Sequence, residues 1–146
     1  MSKKDTNPKD AVGCTKPPMS TVPSPVLMEA GLAMLEGALK YGRHNYRDAG
    51  VRSSVYYDAT LRHMMRWWEG EDIDPDSGLS HITKAIASLI VLRDAQMQGK
   101  VAFDDRPPAA DPTWFKTLEA KVAPLLARFP NPVSPFTIND TKTETP

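Results

Sequence analysis

Between Pro25 and Gly99 apolar residues return every three or four positions in three successive runs, and a glycine stands at the end of each: Gly42, Gly70 and Gly99. A repeat near 3.6 residues lines one face of a helix, whereas a half-buried strand needs a repeat of two. Glycine just past the last turn relieves the strained residue that commonly ends a helix. The spacing predicts a helix over Pro25 to Tyr41 carrying Val26, Leu32, Leu35 and Leu39, with Pro25 suited to its first turn. A second is expected from a cap at Ser53 or Ser54 to about Trp68, with Tyr57, Leu61, Met64, Met65 and Trp68 as its apolar stripe. A third runs to about Gln98 through Ile82, Ala85, Ile86, Leu89 and Ile90. Residues 43–52 and the stretch "EDIDPDSG" read as connections. No segment makes a convincing strand, so the fold class expected is all-α.

The flanks read differently. Residues 1–25 hold Pro8, Pro17, Pro18, Pro23 and Pro25, a composition that resists helix and predicts an extended arm. After a loop over residues 100–112, Asp111 and Pro112 read as a cap and first-turn proline for a short helix through Trp114, Phe115, Leu118, Val122 and Leu125. Pro124 is expected to kink or shorten it. From Pro130 onward the chain is polar and marked by prolines, as in a disordered tail. The division expected is a main domain over 1–108, a C-terminal helix over 109–130 and the tail over 131–146.

With 146 residues the chain suffices for one domain. Three helices of fifteen to twenty residues have more apolar face than one copy buries, so a bundle completed by a second protomer is expected. The 18 basic and 18 acidic residues cancel, which removes any global electrostatic argument for nucleic acid or an anionic membrane as partner. One cysteine, Cys14, excludes an internal disulfide, and no apolar run is long enough to span a bilayer, so a cytoplasmic setting is expected.

Charge on the helix faces is more informative. Glu29, Glu36 and Lys40 stand seven and four residues apart, on one side of the first helix and opposite its leucines. Asp58 and Arg62 share a face of the second helix with His63 beside them. Glu69, Glu71, Asp72, Asp74 and Asp76 crowd the next junction, and His81 opens the third helix. Taken singly, Glu36–Lys40 and Asp58–Arg62 are also ordinary surface pairs contributing about 0.3–0.5 kcal/mol each. Together, carboxylates for a hard divalent ion, the cations Lys40, Arg43, Arg47, Arg62 and Arg66 for phosphates, Asn45, and the rings Tyr41, Tyr46 and Tyr57 for a base describe a nucleotide site.

The segments "NPKDAVG" with Lys16, "EGALKYGRHNYR", Arg62-His63 and "GEDIDPDSGLSH", taken in order from Asn7 to Arg106, closely resemble the phage dATP/dGTP diphosphohydrolase family. Its members are MazG-like, all-α pyrophosphohydrolases. The resemblance implies cleavage between the α- and β-phosphates of a purine deoxynucleoside triphosphate with Mg2+ or Mn2+, in a homodimer or homotetramer. It also implies dGMP production for 2-aminoadenine nucleotide synthesis, or else sanitation of the nucleotide pool, in the host cytoplasm. The residues expected to hold metal are Glu29, Glu36, Asp58, Glu71 and Asp74, with His63 and His81 as further ligands or as partners that orient the acids. Glu36, Asp58 and Lys40 are expected to be catalytic. Lys16, Tyr41, Arg43, Asn45, Tyr46, Arg47 and Arg62 are expected at the nucleotide.

One departure stands out. MazG-like enzymes carry a Glu-x-x-Glu pair on one helix, but Leu32 and Leu39 occupy the positions three residues after Glu29 and Glu36. A histidine-aspartate phosphohydrolase would need an adjacent His-Asp pair, which neither His63 nor His81 supplies. The rival outside enzymes is a helical interaction module whose charges are solvated faces and whose rings form its interface.

Overall fold

A computed structural model describes residues 7–140. They fall into two compact units that divide between Arg106 and Pro107. In the first, Asn7 starts a short helix, α1 (Pro8–Gly13), by accepting from Lys9 N at 3.0 Å while Asp10 Oδ2 accepts from Asn7 N at 3.2 Å. The expected extended arm is thereby corrected over these residues. Pro8 sits at the first helical position, where an N–H has no intrahelical partner to lose. A 3-10 turn follows at Met19–Thr21.

The long helices are α2 (Ser24–Tyr41), α4 (Ser53–Trp68) and α5 (His81–Met97), with a four-residue α3 (Asn45–Asp48) in the first connection. Gly42 ends α2 at φ 92°, a left-handed backbone that suits glycine. Ser80 caps α5 by accepting from Ile82 N at 3.2 Å. The expected serine cap of α4 is not what forms. Ser53 and Ser54 lie inside the helix, and Asp105, fifty-one positions beyond Ser54, accepts from Ser54 N at 2.8 Å. Asp104 accepts from Ser53 Oγ at 3.1 Å.

That tie is set up by two strands the sequence did not announce. β1 (Val51–Arg52) pairs in parallel with β2 (Val101–Phe103), opposing Val51 to Val101 and Arg52 to Phe103. Gly50, at φ 78°, lets the chain pass against β2, since a Cβ there would stand 2.8 Å from Ala102 Cβ.

α5 packs on both α4 and α2. Among the described residues the buried apolar side chains are small, Ala30 and Ala33 on α2, Ala85 and Ala95 on α5 and Val51, and Ser53, Thr83, Asp74 and His81 are buried beside them. Small side chains let helices approach closely, so the contact is made where the sequence lacks bulk. The leucine stripe expected to face the core instead faces outward, with Leu39 79 % and Leu32 55 % exposed. The opposite, charged side of α2 faces α5, where Thr83 Oγ1 donates to Glu29 and Lys84 Nζ to Glu36.

In the second unit the expected single helix is two, α6 (Trp114–Glu119) and α7 (Val122–Ala127). Pro124 explains the break: its ring clashes with the carbonyl four residues back, that of Ala120, and it has no N–H to give it. Asp111 accepts from Thr113 N at 2.8 Å just ahead of α6. Residues 131–136 carry no helix or strand, and a turn closes from Asp140 N to Thr137 O at 3.0 Å. Residues 1–6 of the expected arm and 141–146 of the expected tail lie outside the described residues.

Candidate functional site

The acid-rich junction between α4 and α5 folds back on itself. Asp74 N donates to Leu79 O and Gly78 N to Asp74 O, both at 2.8 Å, while His81 N donates to Asp72 O at 3.0 Å. Gly78, at φ 73°, makes the reversal. The result is a buried Asp74, 5 % exposed, beside a fully enclosed His81.

His63, on α4, meets them. Its Nδ1 stands 2.9 Å from His81 Nδ1, and one donor atom from each of His63, Asp74 and His81 falls within 4.8 Å of the others. The remaining nitrogen of His81, Nε2, pairs with Glu71 Oε1 at 3.0 Å. A carboxylate accepts only, so Nε2 carries a proton, and Nδ1 is the nitrogen turned toward His63. Burial, and then the charge of His81, lower the pKa of His63 and favour its neutral form. Two imidazoles and a carboxylate whose donor atoms lie within 4.8 Å of one another form a donor set that fits a divalent first-row transition ion.

Next to this cluster is a cavity of about 820 Å3 between α2, α4 and α5. His63 belongs to its wall as well as to the cluster. So do Glu36, Lys40, Tyr41 and Arg43, followed by Asn45, Tyr46 and Arg62. Sequence reasoning missed Lys84, Tyr56 and Ser88, which also line it. Lys84 was within reach of that reasoning, because it follows His81 by three residues and shares its helix face. Among the described residues, four cations, Lys40, Arg43, Arg62 and Lys84, border the cavity against one carboxylate, Glu36. Hydrogen bonds from Lys40 and Lys84 hold the Glu36 carboxyl below its usual pKa. Burial raises that of Tyr56.

Other expected residues are placed elsewhere. Asp58 is exposed and joins neither cavity nor cluster, although Arg62, one turn on along the same face of α4, lines the cavity. Arg47 leaves the cavity to form a two-pronged pair with Asp94, at 2.9 and 2.8 Å. Glu29 is engaged by Thr83 and does not line the cavity. Glu71 stands one step behind the cluster, held by His81 and by Arg66 at 2.6 Å. Lys16 is exposed on the arm, outside the lining. Among the described residues no helix is long and apolar enough to cross a membrane.

No match was found among curated proteins or among solved structures. A family model described as dATP/dGTP diphosphohydrolase, N-terminal, matches residues 6–106, which take in the whole of the cluster and the cavity wall. The mostly helical architecture agrees with a MazG-like fold. With more than half its length inside that match, the chain belongs to the dATP/dGTP diphosphohydrolase N-terminal family.

Proposed function

We propose that the chain hydrolyses a purine deoxynucleoside triphosphate, dGTP or dATP, to the monophosphate and pyrophosphate, with a divalent ion held by His63, Asp74 and His81. The observation that supports this most is the double membership of His63, which joins a metal-binding donor set to a cationic cavity. Such an ion supplies Lewis-acid chemistry to phosphoryl oxygens. The side chains do the positioning. Arg43 and Arg62, for which no acid partner appears among the described residues, are available to phosphate oxygens, while Tyr41, Tyr46 and Tyr56 offer ring surface and Asn45 an amide to the nucleoside. Glu71 holds the proton on His81 Nε2 and so keeps Nδ1 as a donor atom.

The outward apolar side of α2 supports a second copy as the structural partner, completing the bundle. In the phage setting that the family resemblance implies, dGMP would feed 2-aminoadenine nucleotide synthesis in the host cytoplasm.

The test is incubation of the purified chain with each of the four deoxynucleoside triphosphates and Mn2+, Mg2+ or chelator, with separation of the products. The expected result is purine monophosphate plus pyrophosphate, lost on Asp74→Asn. Diphosphate plus free phosphate would refute the cleavage point. Absence of turnover under every metal would refute the activity.

A further inference from the structure

The Glu36 carboxylate is shared between two ammonium groups that come from different helices. Its Oε1 accepts from Lys40 Nζ at 2.5 Å, one turn along α2, and its Oε2 accepts from Lys84 Nζ on α5. Both oxygens are therefore directed at ammonium groups and away from a role as metal donors. The Lys84 side chain is 17 % exposed and Glu36 21 %, yet both open onto the cavity.

An i,i+4 pair on an exposed helix face contributes little and needs no third member. Here a second lysine has been brought in from the neighbouring helix, largely out of water, where two ammonium groups repel unless an anion stands between them. Glu36 is that anion. A phosphate carries more charge and more acceptor oxygens than a carboxylate, and lysine's flexible stem lets its three donors be re-aimed without moving the backbone. Lys84 also sits one helical turn beyond His81, and its charge reaches His63.

Building on the proposed hydrolysis, we infer that Lys40 and Lys84 form a two-ammonium clamp for the pyrophosphate end of the substrate, and that Glu36 is the internal anion which the phosphate displaces. Glu36 then works against binding while the clamp is empty, and its removal and the removal of Lys84 have opposite effects. A mere strut between α2 and α5 would make both changes act in the same direction.

The experiment is calorimetric titration of the full chain with inorganic pyrophosphate in the presence of chelator, alongside the turnover assay and a thermal melt of each variant. Losing one charge-assisted contact is expected to weaken pyrophosphate binding roughly tenfold or more in Lys84→Met, with most of it restored in Lys84→Arg. Glu36→Gln is expected to tighten it by a similar factor, roughly tenfold, because the competing charge is gone. Glu36→Gln carries the test even where Lys84→Met fails to fold. No binding by the wild type, or equal or weaker binding by Glu36→Gln, would overturn the clamp. Turnover of purine triphosphates with pyrophosphate binding indifferent to both residues would sink the clamp and leave the hydrolase standing. Opposite shifts without turnover would support the clamp and sink the hydrolase.

Discussion

The Nδ1 atoms of His63 and His81 face each other at 2.9 Å, and the outer nitrogen of His81 is held by Glu71. Two ring nitrogens so close either share a proton or face a common cation. Because Glu71 fixes which nitrogen of His81 is bare, Glu71→Gln is expected to lower Mn2+ affinity about 10–100-fold while the cluster itself survives. Titration of the metal followed by electron paramagnetic resonance reads this directly. Unchanged affinity would show that Glu71 does not orient the ring.

Metal binding at a site formed only in the folded chain must also raise its stability. At Mn2+ a hundredfold above the dissociation constant the gain is about 2.7 kcal/mol, and Asp74→Asn is expected to abolish most of it. Differential scanning calorimetry with and without Mn2+ decides. An equal shift in wild type and variant would place the ion elsewhere.

Gly50→Ala is expected to destabilise the fold by about 1–3 kcal/mol, since alanine gains strain at positive φ and its Cβ meets β2. The contacts would be 2.8 Å to Ala102 Cβ and 2.9 Å to Lys100 O, the carbonyl that accepts from Val51 N. Urea unfolding measures the loss. A midpoint equal to wild type would mean that β1 and β2 separate at little cost.

How much of this was legible in the sequence depends on the range of the interaction. The three long helices follow from local periodicity and their glycine stops, and their observed ends lie close to those expected. Expected site residues from Glu36 to Tyr46 fall together on the cavity wall because one contiguous segment wraps it. Pairing of Val51 with Val101, and capping of Ser54 by Asp105, join residues about fifty positions apart and leave no local signal. The inversion of α2 has the same origin. Periodicity identifies an apolar face, but the side of α2 that is buried is the one carrying Ala30 and Ala33, and α2 packs on α5. Asp58 looked equivalent to Glu36 by spacing, yet only Glu36 lines the cavity.

Acid is expected to loosen the tie between β2 and α4. The Asp105 carboxyl is held below its ordinary value of 3.8, first by the Ser54 hydroxyl and then by the Ser54 backbone N–H. A carboxylate with a lowered folded pKa contributes stability that is fully present above the unfolded value and lost as pH falls through the folded one. The tie should therefore hold near neutrality and weaken only below about pH 4. Asp105→Asn should lower the melting temperature at pH 7 and lose less than wild type between pH 5 and pH 3. Parallel losses in the two chains would remove Asp105 from the acid response.

Leu32 and Leu39, one face of α2, are 55 % and 79 % exposed, with Met28 at 75 % on the same helix. Large apolar side chains gathered in this way leave water when a matching surface is present, and a second copy always supplies one. Burying one such leucine contributes about 1.5–3 kcal/mol, so a charge at its place opposes association strongly. The wild type is expected to elute as a dimer or larger assembly in size-exclusion chromatography with light scattering, and Leu39→Glu as a monomer. Circular dichroism should retain the helical signal, because the Leu39 side chain is largely exposed on α2. A wild-type monomer, or a variant whose mass is unchanged, would show that this face has another use.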